Sequence, residues 1–129
     1  MPPSATRNYI QDKGYTAAAA LTKFRAVKFS AAETVTPVTA KTDVIAGVVQ
    51  HDVTAGEILK GKGASIAVEG DTLMECDAAC TIGVMAGLNA NGTVHNAVAA
   101  DRVIGHFVEG TGAAGEYARV HLIPNGAIL

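Results

Sequence analysis

Aromatic residues are scarce in this sequence, which has no tryptophan, three phenylalanines and three tyrosines among 129 residues. Pockets for small ligands are usually lined by aromatic and other large apolar side chains, so the scarcity argues against a module that binds carbohydrate or a similar ligand. Charged residues form only 17% of the chain and hydrophobic residues 49%, which excludes an intrinsically disordered protein. A domain of this length can fold without a disulfide or a metal.

Cysteine is also scarce, Cys76 and Cys80 being the only two. Three residues separate them, whereas redox and zinc pairs are separated by two, and no second pair is present. We therefore expect two free thiols in a reducing compartment. The N-terminus lacks a basic region followed by an apolar stretch, and no apolar run reaches the roughly 20 residues that span a bilayer. These patterns predict synthesis in the cytoplasm and no membrane partner.

Net charge is −2, too close to zero to indicate that the whole domain binds nucleic acid. The distribution is uneven: residues 1–28 carry five basic residues and one acidic residue, and residues 29–129 carry five basic and eleven acidic residues. One interpretation is chance scatter. The other is a basic N-terminal arm that docks on an acidic partner surface, and the sequence leaves both open. Basic residues do not alternate with aromatic ones, so a stacking platform for single-stranded nucleic acid is not expected.

From Lys23 onward, short runs rich in valine and isoleucine alternate with turns rich in glycine, asparagine and aspartate. Strands spaced about 8–12 residues apart with such turns are typical of an all-β barrel or sandwich. Asn91-Gly92 is the strongest hairpin signal. The other turns are predicted at residues 54–57, 61–63, 69–71, 110–112 and 125–126, and Ile58-Leu59 is assigned to a strand.

Residues 1–22 are predicted to be an extended N-terminal arm and linker, and residues 23–129 a single β-barrel-like domain. Pro2 and Pro3 prevent an early helix, and polar residues follow them. The alanine run at residues 17–20 favours helix by propensity but is too short to be stable alone, so helix and linker both remain open there.

An internal repeat extends across the predicted domain. Val35 and Val94 are 59 residues apart, Gly47 and Gly105 are 58 apart, and Gly56 and Gly115 are again 59 apart. Coincidence is the alternative in a chain rich in glycine and valine. Two copies are too few for a solenoid, so we expect a pseudo-symmetric β-barrel whose halves complete one core. The matching segments are Thr34-Val35, residues 43–49 and Ala55-Gly56-Glu57 in the first copy, and Thr93-Val94, residues 101–107 and Ala114-Gly115-Glu116 in the second.

The motifs of common catalytic sites are missing, with no Walker loop, HExxH or GxSxG. Residues 110–115 spell GxGxxG, but they run into a strand-like segment rather than a helix, so a turn is predicted. The four histidines show no ligand spacing, although His106 and His121 could lie on neighbouring strands. We therefore expect a protein that is not an enzyme and has no cofactor.

Glu69, Asp71, Glu75 and Asp77 occupy alternate positions, which would place four carboxylates on one face of a strand. A divalent cation prefers several oxygen ligands, so a cation site is one hypothesis. A solvated outer strand face is the interpretation we favour, because strands normally alternate buried and exposed positions.

The order of features resembles the capsid decoration, or cement, proteins of tailed bacteriophages. Each matching motif is a short glycine-, valine- or alanine-rich segment, and their order over almost the whole chain carries the resemblance. One departure is the alanine run at residues 17–20, where many such proteins have a larger hydrophobic segment. The motifs are Asn8-Tyr9-Ile10-Gln11, residues 44–49 followed by Ala55-Gly56-Glu57, Gly83, residues 91–94, residues 104–109, residues 114–116 and residues 119–122.

The resemblance implies a virion structural protein made in the bacterial host cytoplasm. It implies homotrimers at threefold positions on the outer surface of the expanded capsid, where the major capsid protein is the partner. Asn8, Tyr9, Ile10 and Gln11 would contact the shell, with Tyr9 and Ile10 as apolar anchors. The alternative for the arm is a disordered terminus. The alternative function is a β-barrel module that binds a ligand such as a carbohydrate without catalysis.

Overall fold

Nine strands and one short helix form the described part of the chain, residues 11–123 and 126–129 of a computed structural model. The predicted all-β class is confirmed. The elements are β1 (Gln11–Ala17), β2 (Ala26–Ala31), β3 (Thr34–Pro37), β4 (Gly47–Val49), α1 (Ala55–Leu59), β5 (Ala64–Glu75), β6 (Met85–Leu88), β7 (Val94–Asn96), β8 (Val103–Glu109) and β9 (Tyr117–Leu122).

The first half of the chain closes into a five-stranded ring, which we call barrel 1 (residues 11–69). Its order is β1-β3-β2-β4-β5, and β5 pairs back onto β1. All neighbours are antiparallel except β1 and β3, which run parallel. The buried residues inside it are Ala17, Leu21, Val27, Val35, Ala46, Val49, Val53, Ala64 and Ile66.

The second half repeats this arrangement as barrel 2 (the described part of residues 70–129). Its order is β5-β9-β8-β6-β7, and a parallel bridge between Cys76 and Val94 closes the ring. Its buried cluster contains Met74, Cys76, Cys80, Ala86, Leu88, Val94, Ile104, Phe107, Ala118, Val120 and Leu122, together with five residues contributed by barrel 1.

Strand β5 belongs to both barrels. Its first half pairs with β1 and β4, with Glu69 opposite Gln11, and its second half pairs with β9, with Gly70 opposite Leu122. The turn predicted at residues 69–71 is therefore wrong. Gly70 has φ +88°, a conformation that glycine adopts readily, and the strand changes partners at this point without reversing direction.

Each barrel uses the same strand pairings at nearly constant separation. Phe29 pairs with Val35, and the residues 59 positions later, Leu88 and Val94, pair in the same way. The bridge between Leu21 and Val53 recurs as Cys80 with Thr111. The expectation that the halves complete one core is wrong, because each half closes its own ring around its own buried cluster.

Two local assignments also differ from the sequence predictions. Ile58-Leu59 is helical, because Thr54 and Glu57 form a capping box that begins α1. The Glu57 amide donates to Thr54 Oγ1 at 3.2 Å, and the Thr54 amide donates to Glu57 Oε1 at 2.9 Å. In the alanine run, Ala17 ends β1 and the residues after it form a bend, so no helix is present there. The hairpin predicted at Asn91-Gly92 is confirmed as the connection between β6 and β7.

The predicted arm is partly built into barrel 1. Residues 11–17 form β1 and pair with β5, and both Ala17 and Leu21 are buried. Residues 1–10 lie outside the described part of the chain. Residues 11–17 are therefore a strand of barrel 1, within the segment that the sequence assigned to the arm and linker.

Candidate functional site

Of the four residues predicted to contact a capsid, only Gln11 lies within the described part of the chain. Asn8, Tyr9 and Ile10 are outside the described residues, so their assignment stays a prediction. Gln11 is the first residue of β1 and pairs with Glu69 on β5. The N-terminal end of β1 therefore lies beside the point where β5 passes from barrel 1 to barrel 2.

The basic residues of the N-terminal segment are partly used within the fold. Arg25 Nε lies 3.1 Å from Glu75 Oε1, and Lys28 Nζ lies 3.2 Å from Asp43 Oδ2. Lys23 Nζ lies 5.9 Å from the centre of the Phe24 ring. The two ion pairs join residues before position 29 to acidic residues after it, so part of the charge asymmetry is balanced inside the molecule.

A polar cluster around His95 connects three separate segments of barrel 2. His95 Nε2 lies 2.7 Å from Asp101 Oδ2, and His95 Nδ1 lies 3.1 Å from Asp77 Oδ2. Asp77 also accepts hydrogen bonds from Asn89 Nδ2 and from Thr93 Oγ1. The cluster therefore ties β7 to the segment that follows β5 and to the loop that precedes β8.

Asp101 is the buried anchor of this cluster, with only 1% of its surface exposed. Its Oδ2 accepts the Val98 amide at 2.9 Å as well as the His95 imidazole. Its Oδ1 accepts no hydrogen bond and lies 3.8 Å from Lys41 Nζ. Burial acts to raise the pKa of Asp101, but the Val98 amide and His95 outweigh it, so the pKa lies below the ordinary value.

The arrangement favours the protonated form of His95. Both ring nitrogens face carboxylates, which accept hydrogen bonds, and only an imidazolium can donate from both nitrogens. Burial acts to lower the pKa of His95, but hydrogen bonds to Asp101 and Asp77 raise it overall. Both nitrogens contact carboxylates from other segments, so the cluster holds these segments together, and we call it the His95 clamp.

The sequence analysis missed this clamp, since His95 and Asp101 showed no recognisable spacing. A signal was nevertheless present. Asp43 and Asp101 occupy the same place in the repeat, and both carboxylates accept an amide from the residue three positions earlier, Ala40 and Val98 respectively. The charged partner differs, being Lys28 for Asp43 and His95 for Asp101.

The four alternating carboxylates do not converge on one point. Asp71 pairs with His121 at 2.7 Å, Glu75 pairs with Arg25, and Asp77 pairs with His95, while Glu69 is exposed. Within residues 11–123 and 126–129, no group of three or more histidine, cysteine, aspartate or glutamate residues could hold a metal ion. Three of the four carboxylates are therefore held by three separate basic partners.

His106 and His121 lie on neighbouring strands, as the sequence suggested. Their ring centres are 5.3 Å apart, and His121 Nδ1 lies 2.7 Å from Asp71 Oδ1. Met85 on β6 pairs with His106, so four strands contribute one row across the outside of barrel 2. We call Met85, His106, His121 and Asp71 the histidine row.

A shallow cavity of about 410 Å³ lies on barrel 1 and includes Tyr15, Glu33, His51 and Ser65 in its lining. Tyr15 also packs edge-on against Phe29, with ring centres 5.3 Å apart. His51 Nε2 accepts the Ser65 amide at 3.0 Å, so that nitrogen is already engaged. Tyr15 is the one aromatic residue of this lining, which offers a single stacking surface to a ligand.

Two further motifs have structural explanations. Residues 110–115 form the turn between β8 and β9, and Glu116 Oε1 accepts the Gly112 amide at 2.8 Å, so the prediction of a turn is confirmed. Cys76 and Cys80 are free and buried. Burial raises the pKa of Cys80 to about 12, with Cys76 contributing, so this thiol stays protonated and is a poor nucleophile.

Comparisons with known proteins support the fold. No protein-family model and no curated protein matches the chain. Among solved structures, it is similar to the head fiber gp8.5 N base of bacteriophage phi29, with a TM-score of 0.70 and 13% sequence identity over 94% of this chain and 100% of that one. At this identity the likeness establishes a shared fold. Within the described residues, no helix is long and apolar enough to cross a membrane.

Proposed function

We propose that this chain is a virion structural protein, a decoration subunit that binds the outer surface of an expanded phage capsid and stabilises the shell. The observation that carries the proposal is the full-length structural likeness to a head fiber base of a bacteriophage. The order of sequence motifs led independently to phage capsid surface proteins. A fold can host unrelated functions, so the agreement between these two lines matters more than either alone.

The described surface is consistent with a binding role rather than a catalytic one. The polar cluster that most resembles a catalytic constellation, around His95, has both imidazole nitrogens occupied by carboxylates. The two cysteines are buried. The described chain instead forms two barrels joined by one continuous strand, an architecture that suits a subunit that binds and stabilises a shell.

The proposed mechanism is thermodynamic. A protein that binds only the expanded shell stabilises that state by mass action, in proportion to the logarithm of its concentration over its dissociation constant. In a homotrimer at a threefold position, the first bound arm raises the effective concentration of the other two. Asn8, Tyr9, Ile10 and Gln11 supply the arm contact to the major capsid protein, by adding a strand to an exposed sheet edge.

Co-sedimentation of the purified protein with expanded, undecorated capsids of the parent virus tests the proposal. We expect saturable binding by the intact chain and a large loss when residues 1–10 are removed. That deletion spares β1, whereas a longer one would remove strand residues that pair with β5. Exchanging Tyr9 and Ile10 for serine should weaken binding in the same way, and exchanging the exposed Leu59 of α1 for serine is the matched control.

The two parts of the proposal fail separately in this experiment. If the intact chain remains in the supernatant with every capsid preparation, the decoration role is wrong. If the chain lacking residues 1–10 binds as well as the intact chain, the role stands and the arm assignment is wrong.

The cavity beside Tyr15 keeps ligand binding as the second candidate function. Its aromatic ring, carboxylate and imidazole are the kinds of group that bind a sugar ring. Titration with short oligosaccharides, monitored by NMR shifts of residues 14–16 and 63–65, tests this alternative. Saturable shifts that disappear in Tyr15→Ala would support it, and unchanged spectra would remove it.

A further inference from the structure

The joint between the two barrels involves a row of small residues on the outside of barrel 1. Ala26 on β2 pairs with Val48 on β4, and Val48 pairs with Ala67 on β5. All three are fully buried and belong to the same cluster as the interior of barrel 2. This outward row of barrel 1 is therefore covered by barrel 2.

The corresponding row of barrel 2 is uncovered. Met85 pairs with His106 and His106 pairs with His121, on the strands that correspond to β2, β4 and the first half of β5. Met85 is 49% exposed and the His121 side chain 44% exposed. The histidine row thus occupies the position of a buried row in the other repeat while remaining open to solvent.

The opposite side of the joint shows the same asymmetry. Leu88 of barrel 2 is fully buried in the cluster that barrel 1 covers. Its counterpart in barrel 1 is Phe29, since Phe29 pairs with Val35 as Leu88 pairs with Val94. Phe29 is 50% exposed. Two surfaces meet at the joint within one chain, the Ala26 row of barrel 1 and the Leu88 end of barrel 2. Each has an exposed counterpart in the other barrel, the histidine row and the Phe29 end respectively.

Large apolar side chains are exposed more often on barrel 2 than on barrel 1. Of the ten large hydrophobic residues exposed in the described part of the chain, seven lie in barrel 2, and Phe29 is one of the three in barrel 1. Met85 is the one of these seven that lies in the histidine row. The seven are Ile82, Met85, Val98, Tyr117, Ile123, Ile128 and Leu129.

We propose that the histidine row of one copy docks against the Phe29 end of barrel 1 in a second copy. This contact between chains would have the same arrangement as the joint between the two barrels within one chain. The occupant is a second copy because the end of barrel 2 covers the equivalent row of barrel 1 within one chain, and the Phe29 end of barrel 1 is the counterpart of that covering end. Such a contact joins two different patches, so it is heterologous and closes into a ring when the rotation permits. The inference rests on the internal repeat and does not depend on the proposed capsid role.

Disulfide trapping between single-cysteine variants tests the contact. Phe29→Cys and Met85→Cys are each oxidised alone and as a mixture, with the native thiols left in place because both are buried. A heterologous contact predicts cross-linked dimers that form far faster in the mixture than in either variant alone. Leu59→Cys, 89% exposed in α1, replaces Phe29→Cys in the control mixture and should cross-link only at the collisional rate.

Charge variants give an independent measurement of the same contact. Phe29→Glu keeps the histidine row intact, and Met85→Glu keeps the Phe29 end intact. Each variant alone should therefore sediment as a monomer, whereas their mixture should form dimers and nothing larger. The wild type should associate further in a concentration-dependent manner. Near-ultraviolet circular dichroism establishes that both variants are folded.

Either of two results overturns the inference. One is a mixture of the cysteine variants that cross-links no faster than the Leu59→Cys control. The other is rapid cross-linking of one variant with itself, which would indicate a contact between identical patches. Both measurements use the purified chain without capsids, so they are independent of whether the chain decorates a shell.

Discussion

Replacing His95 by glutamine is expected to lower the free energy of unfolding and to remove part of its pH dependence. His95 joins two carboxylates, and Asp101 is 1% exposed, so the exchange leaves a buried charge with the Val98 amide and the more distant Lys41 ammonium. Breaking a buried charged pair by removing one partner typically costs 3–5 kcal/mol. Glutamine retains one amide donor, so we expect a loss of about 3 kcal/mol near pH 6.

The pH dependence follows from the sign of the pKa shift. The pKa of His95 is raised in the folded state, so below its unfolded value of about 6.5 the stabilisation is fully present, and it is lost as the pH rises through the folded pKa. In that window the slope reaches at most about 1.4 kcal/mol per pH unit for one proton. Asp101 behaves oppositely, because its folded pKa is lowered and its contribution is lost only in acid.

Urea unfolding at a series of pH values, from about pH 6 to about pH 9, measures both effects. The wild type should lose stability across the series, and the difference between wild type and His95→Gln should shrink at the alkaline end. Lys28→Gln is the matched control, since Lys28 pairs with Asp43 at the corresponding place in barrel 1 and this pair contains no imidazole. Equal stability of His95→Gln and wild type near pH 6, or parallel curves across the series, would refute the clamp.

Three further predictions concern packing, the thiols and the helix. Gly105→Ala should cost about 3 kcal/mol of unfolding free energy, because a Cβ there would overlap the carbonyl oxygen of His121. Gly14→Ala, whose Cβ meets nothing within 4 Å, should change stability by less than about 0.5 kcal/mol, and similar losses in both would contradict the packing. Thiol-specific reagents should label Cys76 and Cys80 in urea but not in the native state near pH 8, and fast native labelling would show that the thiols are accessible. Thr54→Ala should cost about 1 kcal/mol in denaturant unfolding by removing the cap of α1, and an unchanged midpoint would argue against the capping box.

The sequence predicted those parts of the fold that local patterns encode. Short valine-rich runs separated by glycine turns indicate strands wherever they occur, and Asn91-Gly92 specifies its hairpin because glycine permits the positive φ of +86° found at Gly92. The repeat was detectable because Gly47 and Gly105 approach the neighbouring strand too closely for any side chain, which keeps glycine at both positions.

Other features depend on partners distant in sequence. β1 begins Gln11-Asp12-Lys13-Gly14, which reads as a polar arm, yet its backbone pairs with β5 more than 50 residues later. Glu69-Gly70-Asp71 has the composition of a turn, and nothing local indicates that a strand passes through it into a second barrel. The sequence contains the pattern of a capping box, Thr54 followed three residues later by Glu57. A helix of five residues is too short to show an apolar periodicity, so the pattern alone did not indicate α1.

The His95 clamp was not predicted, because its members come from β7, from the segment after β5 and from the loop before β8, which only the fold brings together. Its location is informative for the proposed function. His95 lies between two carboxylates and holds the loop before β8 in place. The exposed histidine row lies elsewhere on barrel 2.

Cryo-electron microscopy of expanded, undecorated capsids incubated with the purified chain tests the central claim most directly. The account predicts added density on the outer surface in groups of three at threefold positions, each group accommodating three copies of the double barrel with the N-terminal end of β1 facing the shell. Bare shells, with the protein remaining free in solution at saturating concentration, would contradict the claim that this chain is a capsid decoration subunit.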